Sequence, residues 1–72
     1  MSNQIFEDGG EILKLVMSDG NDIEVDSRGV TRIEPYLERG EMGYVTWFTI
    51  WNNEYEIGRA NSKYVLRIYY AG

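Results

Sequence analysis

Tyr44-Val45-Thr46-Trp47-Phe48-Thr49-Ile50-Trp51 is a run of eight residues in which every side chain is β-branched or aromatic. That composition suits a pleated, packed surface and disfavours a helix. Alternation puts Tyr44, Phe48 and Ile50 on one side and Val45, Trp47 and Trp51 on the other. A strand with bulk on both sides is central and covered twice. The rest of the chain is read outward from it.

Downstream, Asn52-Asn53 turns the chain into Glu54-Tyr55-Glu56-Ile57-Gly58, with Tyr55 and Ile57 inward and the two acids outward. Gly58 to Lys63 reads as a polar turn. Tyr64 to Tyr70 is then a last strand, with Tyr64, Leu66, Ile68 and Tyr70 on one face and Val65, Arg67 and Tyr69 on the other. Upstream, Val30 to Glu34 is a strand that stops or becomes an edge at Pro35, which cannot donate to a ladder. Residues 35–40 could instead form one helical turn, with Pro35 at its first position and Gly40 beyond its end. Further upstream, Glu11 to Met17 and Asp22 to Asp26 are joined by Ser18-Asp19-Gly20-Asn21, a turn signal that makes the pair a hairpin. Residues 1–10 read as a loose lead-in or a short edge strand.

The expectation is a mainly β, single small domain of five to six short antiparallel strands, forming a twisted meander or small open barrel. At most one short helical turn falls near 35–40. The expected core is Leu13, Leu15, Met17, Ile23, Val25, Ile33, Phe48, Ile50, Tyr55, Ile57, Leu66 and Ile68. A 72-residue chain has a marginal core, and with no Cys and no His neither disulfides nor the usual zinc sites reinforce it. Good packing or a homo-oligomer, a dimer or higher, is left to do so.

Met1 to Gly10 lacks the basic and apolar regions of a signal peptide, and no stretch is apolar enough to span a membrane. The expected compartment is the cytoplasm. Residues 1–43 carry ten of the twelve carboxylates against four basic residues, within a net charge of −5. An acidic chain repels phosphate backbones, so duplex nucleic acid is not an expected partner.

Enzyme chemistry finds little to stand on. There is no Cys nucleophile, no His base, no phosphate-cradling loop and no expected cofactor. The acidic turn Asp19 to Asp26 lacks the glycine spacing of a calcium loop. Glu34, Glu38 and Glu41 could converge, but a domain this small offers little cleft for a two-carboxylate glycosidase, and solvated surface glutamates are the plainer reading. No catalytic or metal-ligating residue is therefore expected.

Two constellations remain. Trp47, Trp51 and Tyr69, with Arg67 beside them and Ile12 and Val16 continuing the stripe, form an aromatic face if the sheet is covered on one side only. Such residue types favour binding hot spots; the bland alternative is that the barrel curls round and buries them. The second is the cationic loop around Arg59, Asn61 and Lys63, which with Trp47 could hold an anion beside a stacked base, such as a nucleotide. Its bland alternative is a hairpin whose charges balance Glu54 and Glu56.

The strings E-P-Y-L-E-R-G-E-M-G (34–43), V-T-W-F (45–48) and G-R-A-N-S-K-Y-V-L-R-I-Y-Y (58–70) resemble small proteins of phages and mobile elements. Compact acidic β proteins without Cys or His resemble phage-encoded inhibitors of host defence. The resemblance implies a non-enzymatic inhibitor or adaptor that occludes a protein partner. Its contacts would be the aromatic face (Trp47, Trp51, Tyr69, Arg67) and the acids Asp22, Glu24 and Asp26. One alternative is an oligomeric binder that sequesters a nucleotide between protomers through Arg59, Asn61, Lys63 and Trp47. Another is a structural subunit of a larger particle.

Overall fold

A computed structural model describes residues 10–71; the lead-in 1–9 lies outside them. The chain is mainly β, with six strands: β1 (Ile12–Met17), β2 (Ile23–Glu24), β3 (Arg32–Gly40), β4 (Gly43–Asn52), β5 (Tyr55–Asn61) and β6 (Val65–Tyr70). The one helical element among the described residues is a 3-10 turn at Ser62–Tyr64. Two antiparallel sheets result, ordered β2-β1-β6 and β3-β4-β5.

The eight-residue aromatic run lies inside β4, which is central in its sheet. β3 does not stop at Pro35 or turn helical. It runs through to Gly40 in unbroken register with β4, from Arg32↔Trp51 to Gly40↔Gly43. Proline fits because β3 is an edge strand, where a missing N–H costs no ladder bond on the outer side. Glu41-Met42 closes that hairpin, and Gly43 at φ +124 supplies a backbone angle that side chains disfavour. At the β1–β2 turn the Asp19 carboxylate accepts from the Asn21 backbone N–H at 2.8 Å. That bond, with the Asn21 side-chain amide, holds the Asp19 carboxyl below its usual range.

The core between the sheets is Ile12, Leu15, Val30, Ile33, Phe48, Ile50 and Ala60, with Met17, Ile23, Val25, Val65, Ile68 and Tyr70 packed round it. Four expected core residues are instead exposed: Leu13, Tyr55, Ile57 and Leu66. Three of these have one cause. The β1–β6 ladder passes from Ile12↔Tyr70 to Lys14↔Tyr69, then from Val16↔Arg67 to Met17↔Val65. Leu13 and Leu66 therefore have no opposite number. Likewise β4–β5 passes from Ile50↔Gly58 to Trp51↔Glu56, which leaves Ile57 over. A bulged residue is pushed out of the ladder and resets the alternation beyond it. Ile12, Val65 and Ala60 thereby reach the core side. Tyr55 is at the hairpin end of β5, beyond the reach of the first sheet.

The stretch Gly58 to Lys63, expected as a turn, is mostly β5 followed by the 3-10 turn. The Asn61 carboxamide oxygen accepts from the Lys63 N–H at 2.9 Å and so starts that turn. Because the bulged leucines lie outside the core, Leu13→Ser and Leu66→Ser should each leave stability within about 0.5 kcal/mol of the parent. Thermal melts of the two variants check this; a large loss in either would put its bulge inside the packed interior.

Candidate functional site

The first sheet lies across the second and covers only part of it. Ile23 and Glu24 of β2 share a shallow cavity with Ile50 and Gly58, while Val65 to Ile68 of β6 share one with Phe48. β6 thus borders the Phe48 end, and β4 continues past it to Thr46 and Tyr44. The register makes Pro35, Leu37 and Arg39 same-face neighbours of Phe48, Thr46 and Tyr44. This is the face that carries buried Ile33, Phe48 and Ile50. Beyond β6 it loses its cover: Leu37 is 63% exposed and Tyr44 is 69% exposed. Leu66, at 69%, stands on the adjoining strand. β6 pairs only with β1, so its other edge carries no strand among the described residues.

A second feature lies where the edge strands β2 and β5 come together without pairing among the described residues. The gap is a cleft of about 700 Å³. Trp47, Arg59, Asn61 and Lys63 line one wall with Tyr64; Ser18, Asp19, Asn21 and Ile23 line the other. The four residues singled out in sequence as a ligand set therefore converge, and they do so within one chain. The Arg59 guanidinium donates from Nε to the Glu56 carboxylate, so the charge balance expected on this strand is realised as well. The Lys63 ammonium sits 5.0 Å from the Tyr64 ring centroid.

The expected aromatic face is divided. Trp47 and Trp51 project from β4 opposite to Phe48 and Ile50, on the outer side of the second sheet. Arg67 and Tyr69 are opposite Val16 and Lys14 on the outer side of the first. Ile12, expected to continue the stripe, is buried. Both tryptophans are half-buried. The Arg32 guanidinium lies 4.8 Å from the Trp51 ring centroid, and Thr49 between the two indoles is only 8% exposed. The Arg67 guanidinium donates to the Tyr69 hydroxyl at 3.2 Å, and both side chains are exposed.

The three acids do not form one free surface. Asp22 accepts from the Met17 backbone N–H at 3.0 Å and lies 3.9 Å from Lys14 Nζ. Glu24 is paired in register with the same Lys14. Asp26 sits in the next turn at φ 71. Lys14 partly neutralises the first two. Among the described residues no group of three or more Asp or Glu is placed to hold a metal ion, and no helix is long and apolar enough to cross a membrane. No known protein family, curated protein or solved structure matches the chain.

Proposed function

We propose that this chain is a non-enzymatic binding protein that takes an extended segment of a protein partner as an added strand on β6. The observation that carries the reading is the exposed stretch of core face together with a strand edge that has no partner among the described residues. Leu37 and Tyr44 belong to the surface that elsewhere holds the core, yet they are exposed, and β6, which shares a shallow cavity with Phe48 of that surface, pairs only with β1 among the described residues. An added strand would bond to β6 and lay its inward side chains on Leu37, Thr46 and Tyr44. Main-chain bonds then supply affinity and the alternate side chains supply specificity.

β6 favours such pairing. Val65 to Tyr70 has no proline and one charge, Arg67, whereas of the two longer edges β3 carries Pro35 and four charged residues and β5 carries Gly58 and two charged residues, Glu56 and Arg59. Those are the features that discourage strand addition. Arg67 on the outer side of β6 and Arg39 beside Tyr44 on the groove side offer cations to the two faces of an added strand, in an otherwise acidic protein. The matching partner segment alternates apolar residues with acids.

A second copy fits this edge poorly. Two β6 strands paired antiparallel about a two-fold axis would place both β3–β4 hairpins on the same face. Each hairpin would then claim the space below the other's β6. The expected homo-oligomer would use another surface. Occlusion of the partner's strand is how the protein would act as an inhibitor or adaptor.

Peptides selected from a random twelve-residue library on the immobilised protein test the reading. They should show alternating apolar and acidic positions, shift the amide resonances of residues 35–46 and 65–70, and bind Leu37→Glu at least tenfold more weakly. Peptides that bind Leu37→Glu as well as the parent would sink it. So would parent protein that sediments as a dimer and Leu37→Glu as a monomer, because a second copy would then be the occupant.

A further inference from the structure

We infer that the cleft between β2 and β5 is a separate small-molecule site, and that its ligand class is a nucleotide with a single phosphate group. At about 700 Å³ the cleft is in the roughly 300–1,000 Å³ range of small-molecule sites. It is built from two independent pieces, the β1–β2 turn and the end of β5 with its 3-10 turn. A ligand here bridges two sheet edges that the chain itself leaves unjoined.

The wall chemistry selects the class. Trp47 and Tyr64 offer aromatic surface on which a base of any sequence can stack. Lys63 and Arg59 offer charge-assisted donors for phosphate oxygens. Asn21 and Asn61 add amide groups, and the Asp19 carboxylate accepts from hydroxyl or exocyclic amino groups. The two cations are offset by two carboxylates, Asp19 on the facing wall and Glu56 on Arg59. The surroundings are thus close to neutral within a chain of net charge −5. Such a site tolerates the charge of one phosphate group, about −1.5 to −2 at neutral pH, and repels the larger charge of a triphosphate. Lys63 has no ion pair among the described residues and is the phosphate's main partner.

Calorimetry on the intact chain, with nucleoside monophosphates, the corresponding nucleosides, triphosphates and inorganic phosphate as probes, decides the matter. At least one monophosphate should bind saturably. Its nucleoside and its triphosphate should each bind at least tenfold more weakly, and inorganic phosphate not measurably. Lys63→Gln should weaken the monophosphate at least tenfold while keeping the parent's melting temperature, since Lys63 is exposed. Leu37→Glu should bind the monophosphate unchanged, which separates this site from the strand-addition groove. The inference fails if no monophosphate binds at millimolar concentration. It fails equally if Lys63→Gln binds as the parent does, or if the triphosphate binds tightest.

Discussion

Phe48→Ala should leave little folded protein at room temperature. Phe48 is 1% exposed and is the largest of the fully buried side chains. It sits where β6 of one sheet meets the centre of the other, so its ring joins the two layers. Removing a buried phenylalanine costs about 3–5 kcal/mol, through lost transfer free energy and the cavity left behind. A 72-residue domain has only about 4–11 kcal/mol in total at typical stability per residue. In the lower half of that range the loss takes most of what is there, and Ala60, paired opposite on β5, is too small to fill the gap. Chemical denaturation followed by tryptophan fluorescence measures it. A variant within about 1 kcal/mol of the parent would mean that the sheets hold together without this ring.

Trp51→Glu comes next in size and should destabilise the monomer itself. Trp51 is half-buried on the outer side of the second sheet, under the Arg32 guanidinium. Its indole N–H and the Tyr36 hydroxyl are both buried with no hydrogen-bond partner among the described residues. With Trp47 it covers Thr49. An aromatic side chain buries about 150–250 Å² in full, so roughly half of that at about 25 cal/mol per Å² gives about 2–3 kcal/mol. Placing a carboxylate there adds desolvation to the loss, although Arg32 would offset part of it. The melting temperature should fall clearly while sedimentation stays that of the parent. A variant that melts like the parent but changes its sedimentation would show Trp51 to be an interface residue, as the sequence pattern alone would have it.

That contrast shows where sequence reading reaches and where it stops. The two strong hairpins, the central strand and the mainly β class were legible because alternation, turn residues and β-branched runs all agreed. Three bulges were not. Leu13, Ile57 and Leu66 each fit the alternation perfectly, and nothing in their identity says that the ladder skips them. Each skip inverts the facing of the residues beyond it, which is how Ile12 and Ala60 became core residues. The split of the aromatic face has a different origin. Trp47 and Arg67 share a periodic pattern but belong to different sheets, and strand pairing over that distance is not written in local composition. The cleft set fared better: Arg59, Asn61 and Lys63 are near one another in sequence, and the β4–β5 register brings Trp47 opposite Asn61. The exposure of Leu37 and Tyr44 on the core face went unseen, since it depends on how far the first sheet reaches along β4.

Whether β6 accepts a foreign strand is tested most directly by amide hydrogen exchange across Val65–Tyr70, with and without a library-selected peptide. In the free protein, the β6 amides that point away from β1 should exchange quickly, because no strand among the described residues holds them. With peptide bound they should become protected, together with a slowing at Leu37 and Thr46, while Ile57 and the β2–β5 cleft stay as they were. Protection confined to other strands, or β6 amides already fully protected in the free protein, would contradict the account.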